Sequence, residues 1–187
     1  MKNDVQKWME SEGESFLKDI GIKKGQTVLD FGCGEGHYTI PAARVVGENG
    51  KVFALDKDKN TLDRLNKMLK HYNIRNVKLL NEKTKTSLKD NSVDVVLCYD
   101  VLHYSNKKER NVIYNEIHRV LKRKGILSVY PKHYKKDYPL LELADLDLDE
   151  VVEELAKAGF ILHRKFSKNL LHDDYYNEGY ILNLRRS

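Results

Sequence analysis

Short apolar runs alternate with amphipathic stretches along the chain, and that alternation predicts its elements. Gln26-Thr27-Val28-Leu29-Asp30-Phe31 reads as a strand that stops at Gly32, Gly34 and Gly36, where a helix can begin. Pro41 lies near the start of that helix, where a missing N–H does least harm, and Asn49-Gly50 turns the chain into a second strand, Lys51 to Asp56. Leu62, Leu65, Leu69 and Tyr72 recur at helical spacing through Lys59 to Tyr72, ahead of a third strand-like run, Asn76 to Asn81. Val93 to Tyr99 is a buried strand. Ser105 is then read as the N-cap of a helix carrying Val112, Ile113, Ile117, Val120 and Leu121 on one face, ended by Gly125. Ile126 to Tyr130 is a fifth strand, and Asp147-Leu148-Asp149-Glu150 is a capping box ahead of a helix closed by Gly159. Phe160 to Phe166 and Tyr175 to Leu184 have no helix between them, which predicts a hairpin.

Strands alternating with helices predict an α/β fold, a doubly wound and mostly parallel sheet covered on both faces, with the hairpin adding an antiparallel strand near its edge. No repeat or low-complexity tract interrupts the chain, so residues 1–187 read as one domain. Within it residues 1–22 form an N-terminal helical segment, read either as a lid over a ligand or as plain core packing of Trp8 and Phe16.

Composition narrows the class. No stretch reaches the roughly 18 consecutive apolar residues that span a bilayer, and no apolar signal core follows the N-terminus, so a cytoplasmic protein without membrane contact is expected. Cys33 and Cys98 are too few for a disulfide scaffold or a Cys-based zinc site, and no metal is expected. The net charge of +5, from 33 basic and 28 acidic side chains, is interspersed and reads as a solvated surface that favours neither an anionic ligand nor RNA.

Candidate chemistry concentrates after the first strand, because ligands of open parallel sheets bind at the carboxyl ends of strands. Gly32, Gly34 and Gly36 let the backbone turn sharply and approach a ligand closely, and they open a helix N-terminus that attracts negative charge. The spacing is G-x-G-x-G; His37 stands where a dinucleotide fingerprint needs its last glycine, and Asp30 suits an ammonium group better than a pyrophosphate. Asp56, ending the second strand, can accept hydrogen bonds from both hydroxyls of a ribose. An ammonium partner, a carboxylate acceptor in the glycine backbone and a diol partner together describe S-adenosylmethionine, with S-adenosylhomocysteine as its product.

The run Val28 to Gly36, followed by Ala54-Leu55-Asp56, resembles the first two motifs of the class I S-adenosylmethionine-dependent methyltransferases. The resemblance extends through Asp90 to Leu97, Val101-Leu102-His103 and Ala158-Gly159-Phe160, from about residue 20 to about residue 185. It implies a seven-stranded sheet whose last strand is antiparallel. It also implies that Asp30 and the segment Gly32, Cys33, Gly34 and Gly36 hold the methionine part, and that Asp56 holds the ribose. Glu82 and Lys83 fall at the adenine, with Lys83 in place of a usually small residue and Lys57 in place of a usually apolar one whose stem can still cover the ring. Cys98 is a buried hydrophobe ending the fourth strand and is counted among the residues bordering the cofactor.

On the acceptor side, Asp100 and His103 in the loop after the fourth strand are candidates for removing a proton, although His103 also reads as a packed histidine. The Asn/Asp-Pro-Pro-Tyr/Phe motif used on planar nitrogens is absent there. Pro131 to Tyr138 reads as a solvated loop or, more sharply, as a basic wall for an anionic acceptor, and Lys122-Arg123-Lys124 as a helix C-terminus. The resulting expectation is methyl transfer to a small-molecule acceptor. An RNA-modifying methyltransferase, a cofactor-binding protein without transferase activity and a nicotinamide-dependent oxidoreductase are the alternatives.

Overall fold

In the computed structural model, which describes residues 3–187, seven strands, β1 (Thr27–Phe31), β2 (Lys51–Asp56), β3 (Val77–Asn81), β4 (Val93–Tyr99), β5 (Leu121–Tyr130), β6 (Phe160–His172) and β7 (Tyr175–Arg186), take the order β3-β2-β1-β4-β5-β7-β6. The chain divides into two compact units, one running to Lys83 and including Leu170–Asn177, the other comprising Thr84–Asn169 and Glu178–Ser187.

In the first unit β1 (Thr27–Phe31), β2 (Lys51–Asp56) and β3 (Val77–Asn81) run parallel, with Asp30 opposite Ala54 and Asp56 opposite Asn81. Parallel strands need crossovers, which α3 (Thr39–Val46) and α4 (Lys59–His71) supply. Asp58 caps α4 by accepting from Asn60 N–H, and Leu62, Leu65 and Leu69 lie on its buried stripe. The N-terminal segment is helical over residues 4–19: α1 (Asp4–Lys7), a π-turn over Trp8–Glu12 and α2 (Gly13–Asp19). Trp8 and Phe16 are both buried, as core packing requires, and the indole Nε1–H donates to the carbonyl of His37 at 2.8 Å.

In the second unit β4 (Val93–Tyr99) pairs in parallel with β5 (Leu121–Tyr130), and β7 (Tyr175–Arg186) runs antiparallel to β5. Several expectations change here. The helix α5 (Lys107–Val120) is capped by Asn106 rather than Ser105, because Asn106 accepts from Glu109 N–H while Glu109 accepts from Asn106 N–H in a reciprocal box. Val112 is exposed, and Tyr114 takes the buried position beside Ile113 and Ile117. Gly125 does not end the helix: α5 stops at Val120 and the chain enters β5 at once, with Lys122 to Gly125 lying where the β4 register shifts. The Lys122-Arg123-Lys124 run therefore belongs to a strand, where Lys122 pairs with Asp94 at 2.8 Å. The box at Asp147 and Glu150 forms as expected and starts α6 (Leu148–Lys157), and β6 (Phe160–His172) continues six residues past Phe166. No helix among the described residues is long and apolar enough to cross a membrane.

Candidate cofactor and acceptor sites

The glycine loop is built as its residue types demand. Gly32, Gly34 and Gly36 all have positive φ (78°, 50° and 89°), a region that L side chains rarely adopt. The N–H groups of Gly32 and Cys33 both donate to Leu55 C=O, at 2.8 and 2.9 Å, which stitches the loop to the end of β2. A Cβ at Gly36 would stand 2.3 Å from a Leu65 methyl, whereas one at Gly34 would meet nothing within 4 Å. Gly36 is thus a packing glycine, and Gly34 borders open space into which a ligand can approach the backbone.

Asp56 does more than the sequence suggested. One of its oxygens accepts from Gly34 N–H at 3.1 Å and the other from Asp58 N–H at 2.9 Å, so the carboxylate intended for a diol also shapes the loop. Each carboxylate oxygen has a second lone pair left for a hydroxyl. Asn81 donates to the carbonyls of Asp56 and Lys57, both at 3.1 Å, and fixes the strand end. The register carries the chain from Asn81 into half-buried Glu82 and exposed Lys83, next to the strand end that leads into exposed Lys57.

Asp30 is only 3% exposed, and its carboxylate accepts from the Thr39 hydroxyl, at 2.5 Å, on the first residue of α3. Burial pushes its carboxyl up to about 7, opposed by the Thr39 hydrogen bond and reinforced by the nearby Asp56 carboxylate. A buried acid held this way gains from an arriving cation. Cys33 is buried as well; desolvation and then the Asp30 and Asp56 charges push its thiol far up, so it is an inert small residue between glycines. Beside the loop, Glu35 is paired with Arg64 at 2.9 Å.

The second unit holds the acceptor-side candidates. Cys98 is a fully buried residue of β4, as a strand hydrophobe should be. Asp100 has φ 59°, with its N–H donated to Tyr130 C=O at 3.0 Å. His103 sits in a single 3-10 turn, Leu102–Tyr104, its Nδ1 3.5 Å from Asp100 Oδ1. Its side chain is 2% exposed while that of Asp100 is 26% exposed, so the carboxylate is the more accessible of the two. The sequence missed His133, which joins them from the loop after β5: its Nε2 lies 3.9 Å from Asp100 Oδ1 and its ring 4.6 Å from that of His103.

Arg110 was missed too. It makes a two-pronged pair with Glu154 of α6 (2.8 Å on each prong) and donates to the carbonyl of Ser105 at 2.7 Å, bracing the 3-10 turn. Pro131 to Tyr138 is a solvated loop only in part, with Pro131 to Tyr134 buried and Lys135, Lys136 and Tyr138 exposed, and it is not a bare basic wall. Lys132 is buried against Asp137 at 2.6 Å, and Lys135 and Lys136 pair with Asp147 at 3.7 and 3.3 Å, so its positive charge is answered locally.

A family model described as a methyltransferase domain matches residues 22–172, most of the chain. The chain belongs to the class I S-adenosylmethionine-dependent methyltransferases. Among solved structures, a SAM-dependent methyltransferase from Aquifex aeolicus is similar over 100% of both chains, with a TM-score of 0.78 and 25% identity. Two demethylmenaquinone methyltransferases are similar in sequence. That of Geobacillus stearothermophilus is 33% identical over 60% of this chain and 48% of its own length, and that of Staphylococcus aureus 35% over 59% and 45%. This methyltransferase chain spans about half the length of the curated relatives it matches. Its strand order and antiparallel β7 agree with the seven-stranded sheet implied by the motifs.

Proposed function

We propose that the protein uses S-adenosylmethionine to methylate a small-molecule acceptor by in-line displacement. The observation that carries this reading is the joint arrangement of the buried Asp30 carboxylate, the left-handed Gly32-Gly34-Gly36 backbone and Asp56, in a chain of this family. S-adenosylmethionine, when bound, supplies a sulfonium-activated methyl group. Asp30 answers its ammonium, the backbone around Gly34 receives its carboxylate, Asp56 accepts from the ribose hydroxyls, and Glu82, Lys83 and Lys57 border the base. Catalysis then rests on orienting the acceptor and excluding water, with Asp100, oriented by His103, as the group that takes a proton where the acceptor carries one. The same reading takes the location as cytoplasmic and the acceptor as a small molecule, anionic or neutral; demethylmenaquinone, named for the relatives, is the first acceptor to assay.

Calorimetric titration with S-adenosylmethionine, S-adenosylhomocysteine and NAD tests the cofactor. Micromolar binding of the two sulfur nucleosides, none of NAD, and severe weakening in Asp56→Ala are expected. Unchanged affinity in that variant, or binding of NAD alone, would overturn the assignment.

A further inference from the structure

Basic side chains gather at one end of the strands of the second unit. The strand β5 opens with Leu121-Lys122-Arg123-Lys124, and its antiparallel neighbour β7 closes with Arg185-Arg186. Ile126 lies opposite Arg185, so the two basic runs meet at the same end. Lys124 stands in the left-handed region at φ 63°, and two guanidiniums hold this stretch of backbone. Arg185 Nη1 donates to Lys124 C=O at 2.6 Å, while Arg186 Nη1 donates to Leu121 C=O and to Asn91 Oδ1.

The carboxylates nearby are already engaged. Asp94 pairs with Lys122 at 2.8 Å, and Asp90 pairs with Arg119 at 2.5 Å. Among the described residues, no ion pair neutralises Arg123, Lys124, Arg185 or Arg186. Their field reaches a neighbour: burial first, and then the Arg186 charge, hold the His118 imidazole below its ordinary range. Like charges on adjoining strand ends repel one another, and a polyanion relieves that repulsion.

What surrounds the charges selects the partner. Leu121 and Leu184 are buried, so residues 121–124 and 184–187 show solvent only charged and polar side chains. A protein partner would need an apolar centre for its contact, whereas cations alone hold the phosphate backbone of a nucleic acid. The planar fork of arginine matches phosphate oxygens. Arg185 and Arg186 each spend Nη1 on the fold, which fixes the guanidinium while Nη2 keeps its N–H groups for a ligand.

We propose that this rim docks the phosphate backbone of a nucleic-acid strand without reading its bases. The length of β5 separates it from the loop that carries His133 by about 30 Å, so the rim anchors a strand and takes no part in methyl transfer. Docking does not depend on the methyl-transfer reading.

The test titrates the full chain into a fluorescently labelled oligouridylate of about 15 nucleotides, without S-adenosylmethionine, between about 50 and 500 mM salt. Four phosphate contacts on a single strand give log K against log salt a slope of about −3. Arg123→Gln combined with Lys124→Asn, asparagine being tolerant of positive φ, should bring the slope to about −1.4 and weaken binding about 25-fold at about 0.1 M salt. Removing equal charge from exposed positions of α4, with Lys67→Gln and Lys70→Gln, should leave slope and affinity unchanged. All four side chains are exposed, and circular dichroism confirms that both double variants are folded. No binding at about 50 mM salt, an unchanged slope in the first double variant, or an equal loss in the two, overturns the proposal. Binding to phosphatidylglycerol vesicles without binding to the oligouridylate overturns it as well.

Discussion

Replacing Asp30 with asparagine should make the protein more stable at alkaline pH and poorer at holding its cofactor. The Asp30 carboxyl rises from 3.8 to about 7 on folding, chiefly by burial. Between those values the folded state holds a proton that the unfolded state has released, so stability falls as pH rises, by about 1.4 kcal/mol per pH unit, and levels off above about 7. The full loss amounts to about 4 kcal/mol; the part lying between pH 5 and pH 8 is about 3 kcal/mol. Asparagine keeps an acceptor for the Thr39 hydroxyl but does not titrate, so it removes this dependence. Its extra N–H₂ adds a desolvation cost of about 1–3 kcal/mol that is the same at every pH. The stability of Asp30→Asn relative to the parent should therefore move in the variant's favour by about 3 kcal/mol from pH 5 to pH 8, measured by urea denaturation at the two pH values. For a chain of this size that is roughly 6–12 °C in the difference between melting temperatures. S-adenosylmethionine should raise the melting temperature of the parent and barely that of the variant. A stability difference that is the same at both pH values would show that Asp30 is not held as a buried acid, and the case for an ammonium partner would lose its physical basis.

Two further outcomes concern the scaffold. Gly36→Ala combines a left-handed backbone with a Cβ 2.3 Å from the buried Leu65 and should cost about 2–5 kcal/mol, whereas Gly34→Ala, with open space around it, should cost only about 1–2 kcal/mol and still impair cofactor binding; equal urea midpoints for the two would contradict the loop geometry. Arg110→Ala strands Glu154 in a buried position and should destabilise by about 3–5 kcal/mol, while Arg110→Met combined with Glu154→Leu should recover most of that loss, which thermal melts of the two variants can resolve.

Local signals carried much of this protein. Strands β2 and β4 start and stop where the apolar runs do, because a strand buried on both faces needs an unbroken run and polar turns bound it. The glycine loop and Asp56 were legible because backbone at positive φ selects glycine and the residues lie at fixed positions on consecutive strand ends. Where two local signals competed, contacts chose: Asn106 outbid Ser105 through Glu109, and the shift in β4–β5 register drew Lys122 to Gly125 out of the helix. Other features have no local signal at all. Thr39 on Asp30, Arg110 on Glu154 and His133 beside Asp100 join residues separated by 9, 44 and 33 positions, and only the packing of strands and loops sets those distances. The raised Asp30 carboxyl belongs to the same class, since it comes from burial, and burial is a property of the assembled fold rather than of any run of residues.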